Sequence, residues 1–524
     1  MEQGRHQDWP EGRLIPIHPQ QQQERQVYPI DFFYRASALY PDRVALQSSR
    51  ESISYRTLRE RVNALACAMQ SLDPTPQSRV AICGTNSTDH ALAILAVLAA
   101  GKIWVPLNAR STAPEISRIL DTTEPSIVMT DHVGAGLVKP GAPHMIGMEP
   151  GDHNSMNSLI DRFVGKCPAD NQAGEEGIQA IKFTGGTTGL PKGVMQPYRA
   201  WTAGIINQMH GWQLGPDDCF VVTAPVTHGT STYLLPLLGA GGRLLFLDKT
   251  DPASVIQAFR EQGGTMSFMP PTLIYMVMAH PGVSRADFPM LRNLIYGGAP
   301  MPPEKVEQVR AFFGPVVGTT YGQTEAPQIV TMMRPTDFED PRNIASVGRC
   351  TWLSEMAIMS PDGKLLPYGS VGEVVVKGHL VMKGYWKLPE KTAETIVDGW
   401  LHTGDVGLVD DRGYLYLKDR IRDVIITGGF NVYPTDVENA LSQHPAVYEC
   451  SVFGMPDEKW GEAVHAAVQL RPGEKADKDA LKGHVKERLG SVHTPKDIHF
   501  FEQLPRSSVG KVLKTAIREQ LKLN

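Results

Sequence analysis

A chain of 524 residues, 42% hydrophobic and 20% charged, lies in the ordinary globular range and is long enough to bury large cores in two or more domains. Its formal net charge of −5 gives no basic face for nucleic acid, and its longest apolar run, Ala91 to Ala100, falls far short of a membrane span. Neither a nucleic-acid partner nor a bilayer core is implied. The segment 1–26 carries charged residues and the run Gln20 to Gln23 but no apolar stretch like that of a secretory leader, so a flexible N-terminal segment and a cytoplasmic location are expected. Cys67, Cys83, Cys167, Cys219, Cys350 and Cys450 are scattered, with no Cys-X-X-Cys pair and no histidine spacing suited to zinc. They read as reduced and mostly buried.

Leu58, Val62, Leu65, Met69 and Leu72 follow Ser54 at three- and four-residue spacing, which predicts an amphipathic helix, and Arg79 to Cys83 reads as a short buried strand. Helix and strand go on alternating. Ala91 to Ala100 reads as helix, Ile127 to Met129 and Phe220 to Thr223 as strands, and Leu244 to Leu247 and Leu294 to Tyr296 as compact apolar runs closed by turn residues. Such alternation predicts parallel sheets covered by helices. Pro315 to Val317 reads as a further strand, with the polar residues after it placed at the sheet's C-terminal end.

After about residue 345 the texture changes to short alternating strands, Glu373 to Lys377 and Tyr414 to Lys418 among them, separated by Asp-Gly and Arg-Gly turns. A charged, apolar-poor segment, Asp419 to Asp423, marks a boundary, and Thr435-Asp436-Val437-Glu438 opens a helix with a capping-box pattern. The expected architecture is α/β: a large domain over 27–420 of parallel-rich sheets with covering helices, its part 345–420 β-rich, and a small, mobile α+β lid over 421–524.

The densest chemical signal is Thr184-Gly185-Gly186-Thr187-Thr188-Gly189-Leu190-Pro191-Lys192-Gly193. Glycines let a backbone approach an anion closely, successive N–H groups form a concave nest, and hydroxyls with a lysine add hydrogen bonds and charge. The stretch is therefore read as a phosphate cradle. It is not a Walker A loop, which needs Gly-Lys followed by Ser or Thr, whereas Gly193 follows Lys192.

Phe183 to Val194 resembles the signature loop of the acyl-adenylate-forming, or AMP-binding, superfamily, Tyr/Phe-Thr-Ser-Gly-Thr-Thr-Gly-X-Pro-Lys-Gly-Val, at every position but Gly185, where the family usually has Ser or Thr. Family-like segments recur in the expected order from about residue 27 to the C-terminus. The resemblance implies that Thr184, Gly185, Gly186, Thr187, Thr188, Gly189 and Lys192 hold the phosphates of ATP. In Tyr321-Gly322-Gln323-Thr324-Glu325 it implies that Tyr321 stacks on adenine with Gly322 beside it, that Thr324 touches the α-phosphate, and that Glu325, with Thr184, holds Mg²⁺. Gly297, Gly298 and Ala299 would let the base lie flat against the backbone. Asp405, in Trp400-Leu401-His402-Thr403-Gly404-Asp405, and Arg420 would bind the ribose, with Arg422 at the family's hinge position, usually Asp or Lys.

By the same resemblance Lys511, in Pro505-Arg506-Ser507-Ser508-Val509-Gly510-Lys511, reaches the reacting carboxylate and α-phosphate from the lid. His228 is expected as a gate or pocket wall between phosphate and acyl sites, without proton transfer, and Gly428 and Gly429 as the lining of a pantetheine tunnel. The implied activity is that of an ATP-dependent carboxylic acid–CoA ligase, monomer or homodimer, with the acid forming acyl-AMP before transfer to CoA. CoA is favoured over a carrier protein by the lid loop and by the absence of a carrier domain before Asn524. The segment Gly229 to Leu234 holds no Arg or Lys for a second carboxylate, which points to a mono-carboxylic acid. The competing readings are another acceptor for the acyl-AMP, a carrier protein or oxidative chemistry, and a non-catalytic nucleotide or acyl-AMP sensor.

Overall fold

The run that is apolar on every side forms most of the helix Thr88–Ala99, whose N-terminus is capped by the Ser87 hydroxyl accepting from the His90 N–H at 3.1 Å. A helix without a polar face must be surrounded by protein. Every residue from Ala91 to Ala99 is buried, in a core shared with Phe33, Leu58, Val62 and Leu65, with Val80 and Trp104 of one large sheet, and with Phe220, Leu244 and Met266 of another. The computed structural model describes residues 26–139, 141–149, 154–184, 191–506 and 512–522.

Those two sheets make up the larger part of the described chain. One is nine-stranded, in spatial order Arg349–Cys350, Thr331–Met333, Val317–Tyr321, Asn293–Tyr296, Met266–Met269, Cys219–Val222, Arg243–Phe246, Val44–Gln47 and Ser52–Ser54. The other is seven-stranded, in the order Gly384–Tyr385, Lys192–Pro197, Ile178–Thr184, Ile103–Asn108, Arg79–Gly84, Ile127–Thr130 and His144–Gly147. Both are parallel in the middle and antiparallel at an edge, as the alternating elements predict. Helices Tyr55–Leu72, Thr88–Ala99, Tyr198–Gly211 and Ser231–Gly239 contribute to the core between the sheets, and a second core packs Phe259, Val306 and Phe313 on the far side of the nine-stranded sheet.

A third, five-stranded sheet is antiparallel and contains Gly372–Gly378, Trp400–Val409 and Leu415–Arg420. A short 3₁₀ turn, Ile421–Asp423, separates it from a fourth sheet built of Phe430–Val432, Ile425–Thr427, Gly461–Leu470, Val447–Asp457 and Asp497–Phe500, which has its own core around Val437, Leu441, Val452 and Val485. No helix among the described residues is long and apolar enough to cross a membrane. All six cysteines are free; Cys67, Cys83 and Cys219 are buried, and Cys167 is exposed.

Two local expectations are corrected. The strand expected at Pro315 to Val317 runs instead from Val317 to Tyr321, because Thr319 and Thr320 pair with Met333 and Met332 and the Thr319 hydroxyl donates to the Tyr296 carbonyl at 2.9 Å. The helix Pro434–Ser442 has no side-chain cap from Thr435 or Glu438. Thr435 donates its N–H to Asp419 Oδ2 at 3.0 Å, and Glu438 Oε1 accepts the Val452 N–H at 2.7 Å, so distant partners take the groups a capping box would use.

Candidate active site

Several parallel strands deliver their C-terminal ends to one region, the usual place for ligands in α/β sheets. The strand Ile178–Thr184 ends where the glycine-rich stretch begins, and Lys192 pairs opposite Thr184 as the chain returns. Gly185, Gly186, Thr187, Thr188 and Gly189 lie outside the described residues, as does Lys511.

Lys192 Nζ lies 4.6 Å from the centroid of the Tyr385 ring, and the Tyr385 hydroxyl donates to Glu325 Oε1 at 2.9 Å. Burial first, and the adjacent Glu325 carboxylate second, push the Tyr385 hydroxyl's pKa well up, so it stays a donor. The chain brings these residues together by strand pairing: Tyr385 sits opposite Val194, and the Met382 N–H donates to the Glu325 carbonyl at 2.8 Å.

A second convergence centres on Asp405, whose side chain is almost fully buried. Its Oδ2 accepts from the Tyr321 hydroxyl and from Gln323 Nε2, both at 2.6 Å, and its Oδ1 pairs with Arg420 Nε at 2.6 Å. Gln323 Nε2 also donates to the Thr403 carbonyl at 2.9 Å, and Arg420 Nη1 to the same carbonyl at 3.3 Å. Register supplies this arrangement, because Asp405 lies opposite Arg420 in the antiparallel pair. Gly404, at φ 70°, makes the bend just before Asp405 and donates its N–H to Glu373 Oε1 at 2.9 Å. Burial, and then the Asp405 charge, keep the Tyr321 hydroxyl protonated far above its ordinary range.

Gly297 follows the strand Asn293–Tyr296, and a Cβ there would sit 2.8 Å from the Phe268 ring, so a larger residue would force that ring to shift. Gly298 turns the chain at φ 78° ahead of Ala299. Gly322 is packed against the Ala326 carbonyl and the Gln328 backbone, and the Thr324 carbonyl accepts from Gln196 Nε2 at 2.9 Å.

His228 lies just before the helix Ser231–Gly239, its Nδ1 2.9 Å from the Thr227 hydroxyl. Its imidazole faces solvent but is hemmed in by protein; that burial, then the charges of Lys182 and Arg110, bring its pKa down to about 4. The Ser231 hydroxyl donates to the His228 carbonyl at 2.6 Å and accepts from Lys182 Nζ at 2.6 Å. Burial brings the Lys182 pKa down to about 7. The residues after His228 meet those after Glu325, since the Thr232 hydroxyl donates to Gln328 Oε1 at 3.2 Å.

Gly428 and Gly429 form the turn between the strands Ile425–Thr427 and Phe430–Val432, at φ 58° and 82°. The Gly428 N–H donates to the Trp460 carbonyl at 2.9 Å. No hydrogen bond or ion pair among the described residues joins these glycines to the Asp405 or Glu325 groups.

Gln323, Tyr385 and Lys182 are functional candidates that the sequence reading did not assign. Gln323 lies inside a motif already singled out. Lys182 is the one charged residue in the buried strand Ile178–Thr184, where Gln179 and Thr184 are the other polar ones, a signal available from sequence. Tyr385 gives no such signal, because only long-range strand pairing puts it beside Glu325.

The model of the AMP-binding enzyme family matches residues 33–386, and that of the AMP-binding enzyme C-terminal domain matches 436–511. A feruloyl-CoA synthase of Amycolatopsis is 33% identical over 490 residues, covering 93% of this chain and 97% of that protein. The medium/long-chain-fatty-acid–CoA ligase FadD8 of Mycobacterium tuberculosis is 37% identical over 348 residues, 65% of this chain and 61% of the relative. Among solved structures, the amide bond synthetase McbA from Marinactinospora thermotolerans superposes with a TM-score of 0.86 at 30% identity, over 94% of this chain and 99% of that one.

Proposed function

We infer the reaction from one premise, that this chain belongs to the AMP-binding enzyme family: it is an AMP-forming acid–thiol ligase that uses ATP to join a carboxylic acid to CoA. The observation that carries the site assignment is the convergence on Asp405 of Tyr321, Gln323 and Arg420, from segments far apart in the chain. A carboxylate offers about four acceptor positions. Three are taken in this arrangement, so a ribose bonding through both hydroxyls displaces one partner.

Tyr321 and the backbone of Gly297, Gly298 and Ala299 flank the adenine, with Gly322 beside it. Lys192, Thr184, Gly185, Gly186, Thr187, Thr188 and Gly189 receive the phosphates, with Thr324 at the α-phosphate. Magnesium ions are commonly held by one or two carboxylates together with substrate phosphates. Glu325 has one oxygen bonded to Tyr385 and the other without a hydrogen bond among the described residues, and with the Thr184 hydroxyl it makes a fitting donor set for Mg²⁺. When bound, the ion would neutralise charge on the phosphoryl oxygens.

The substrate carboxylate attacks the α-phosphorus, pyrophosphate leaves and acyl-AMP forms; the CoA thiol then attacks the acyl carbonyl and AMP leaves. The protein's part in the first step is to align the groups and offset their charge. Lys511 brings a mobile positive charge to that step, and His228, neutral, walls the acyl side. The domain division at 420 and 421, with a lid pivoting near Arg422 and presenting Gly428 and Gly429 to the pantetheine arm, is supported by the turn Ile421–Asp423 between two sheets. A mono-carboxylic substrate, a cytoplasmic location and a monomer or homodimer complete the reading.

The test is a panel of acids scored by pyrophosphate release with and without CoA. Thioester formed on adding CoA to preformed acyl-AMP supports the ligase; acyl-AMP that CoA leaves unchanged points to an amine or a carrier as acceptor. Equal pyrophosphate release by the wild type and Lys511→Ala overturns the role given to Lys511.

A further inference from the structure

The amine of Lys182 is buried, and no carboxylate among the described residues answers it. Strand alternation puts its side chain on the same face as Thr184, one pleat further from the phosphate loop. Its Nζ lies 5.1 Å from the ring centroid of Trp104 and 5.1 Å from that of Trp201, and donates one hydrogen bond, to Ser231 Oγ at 2.6 Å. An ammonium has three N–H donors, so two have no acceptor among the described residues. No carboxylate of the described residues forms an ion pair with it.

The surroundings are positive too. The charges that bear on the neighbouring His228 are those of Lys182 and Arg110, and neither is opposed there by an acid. The helix Ser231–Gly239 begins at the same spot and turns its positive end toward it. An isolated buried ion is costly to a fold, and two indole faces offset only part of that cost. The arrangement is suited to an anion that arrives with the ligand. A carboxylate approaching a triphosphate meets repulsion unless a cation stands on its own side of the site. Lys192 stands on the phosphate side, beside Tyr385 and Glu325; Lys182 stands on the His228 side, through Ser231.

We propose, resting on the ligase reading above, that Lys182 is a substrate-binding residue that draws the reacting carboxylate of the acid past His228 toward the phosphate loop. The same chemistry would serve a second carboxylate on a di-acid, and the choice of acids in the test separates the two.

Pyrophosphate release by the full-length protein is measured with Lys182→Met and Lys182→Arg over separate titrations of a mono-acid, a di-acid of matched length and ATP. Loss of a hydrogen bond to a charged partner predicts a KM for the mono-acid raised roughly tenfold to a hundredfold in Lys182→Met. The KM for ATP stays within about twofold, and Lys182→Arg recovers part of the loss. The melting temperature of Lys182→Met holds or rises, since a buried charge has gone; if it shows no folded transition, Lys182→Gln is judged by the same KM criterion. An unchanged KM for the mono-acid overturns the proposal alone. So does a rise in the KM for ATP in place of that for the acid, which would make Lys182 a phosphate ligand. A wild-type preference for the di-acid that Lys182→Met abolishes while sparing the mono-acid also overturns it. Absence of pyrophosphate release by the wild type with every acid overturns the ligase reading and this inference together.

Discussion

The Tyr321 hydroxyl donates a 2.6 Å hydrogen bond to Asp405 Oδ2 across 84 positions of sequence, joining the end of a strand in the nine-stranded sheet to the bend in the antiparallel one. Asp405→Asn keeps the shape but loses the charge that Arg420 and the ribose share. Charge-assisted hydrogen bonds of this kind are worth roughly 1.5–3 kcal/mol. The KM for ATP is expected to rise about tenfold to a hundredfold in Asp405→Asn, and by less in Tyr321→Phe. ATP titrations of pyrophosphate release check this, and an unchanged KM in Asp405→Asn removes Asp405 from the nucleotide site.

Glu325→Gln removes the negative charge assigned to the metal while leaving an oxygen for the Tyr385 hydroxyl. The half-saturating Mg²⁺ concentration for pyrophosphate release is expected to rise by about tenfold, in line with the loss of a charged partner. Activity recovers at high Mg²⁺. A Mg²⁺ dependence identical to that of the wild type counts against this assignment.

His228 has a pKa lowered to about 4 from an ordinary 6.5, through burial and then through Lys182 and Arg110. It is therefore neutral at neutral pH, and the acid limb of the pH–rate profile should show no step near 6.5 that His228→Gln abolishes. For stability the sign is set by the unfolded chain, which takes up the proton first. As pH falls from about 6.5 toward 4 the unfolded state gains protons that the folded state lacks, so stability falls over that window. His228→Gln should flatten this part of the melting temperature curve; an equally steep curve would show that other groups cause it.

Gly428 adopts φ 58°, and a Cβ there would meet the Trp460 ring at 2.8 Å. A left-handed conformation costs a residue other than glycine roughly 1–2 kcal/mol. Gly428→Ala is expected to slow thioester formation from preformed acyl-AMP about tenfold while leaving pyrophosphate release within twofold. Equal losses in both half-reactions would argue that the turn serves folding of the fourth sheet and not CoA.

Elements with strong periodicity were legible in the sequence. Leu58, Val62, Leu65 and Met69 are all buried on one face of the helix Tyr55–Leu72, as their spacing predicts, and the runs at 79–83, 127–129 and 294–296 fall on strands. Local patterns failed where a distant group outcompeted a near one. Thr435 and Glu438 have the spacing of a capping box, but Asp419, Val452 and Lys514 engage them instead. Motif residues were legible as chemistry, whereas their partners were not: Asp405 and Glu325 stand out in sequence, while Tyr385 reaches Glu325 only because Gly384–Tyr385 adds an antiparallel edge beside Lys192–Pro197. Lys182 is conspicuous as a charge in a buried strand, but its meaning depends on Trp104, Trp201 and Ser231, which come from three other elements.

The helix Thr88–Ala99, with no polar side to offer water, also governs how the polypeptide must be made. During synthesis its surroundings are incomplete until Phe220, Leu244 and Met266 have left the ribosome. Fragments that stop before them leave a greasy cylinder in solution and should aggregate, which makes shortened versions of the N-terminal half poor tools for dissecting this molecule.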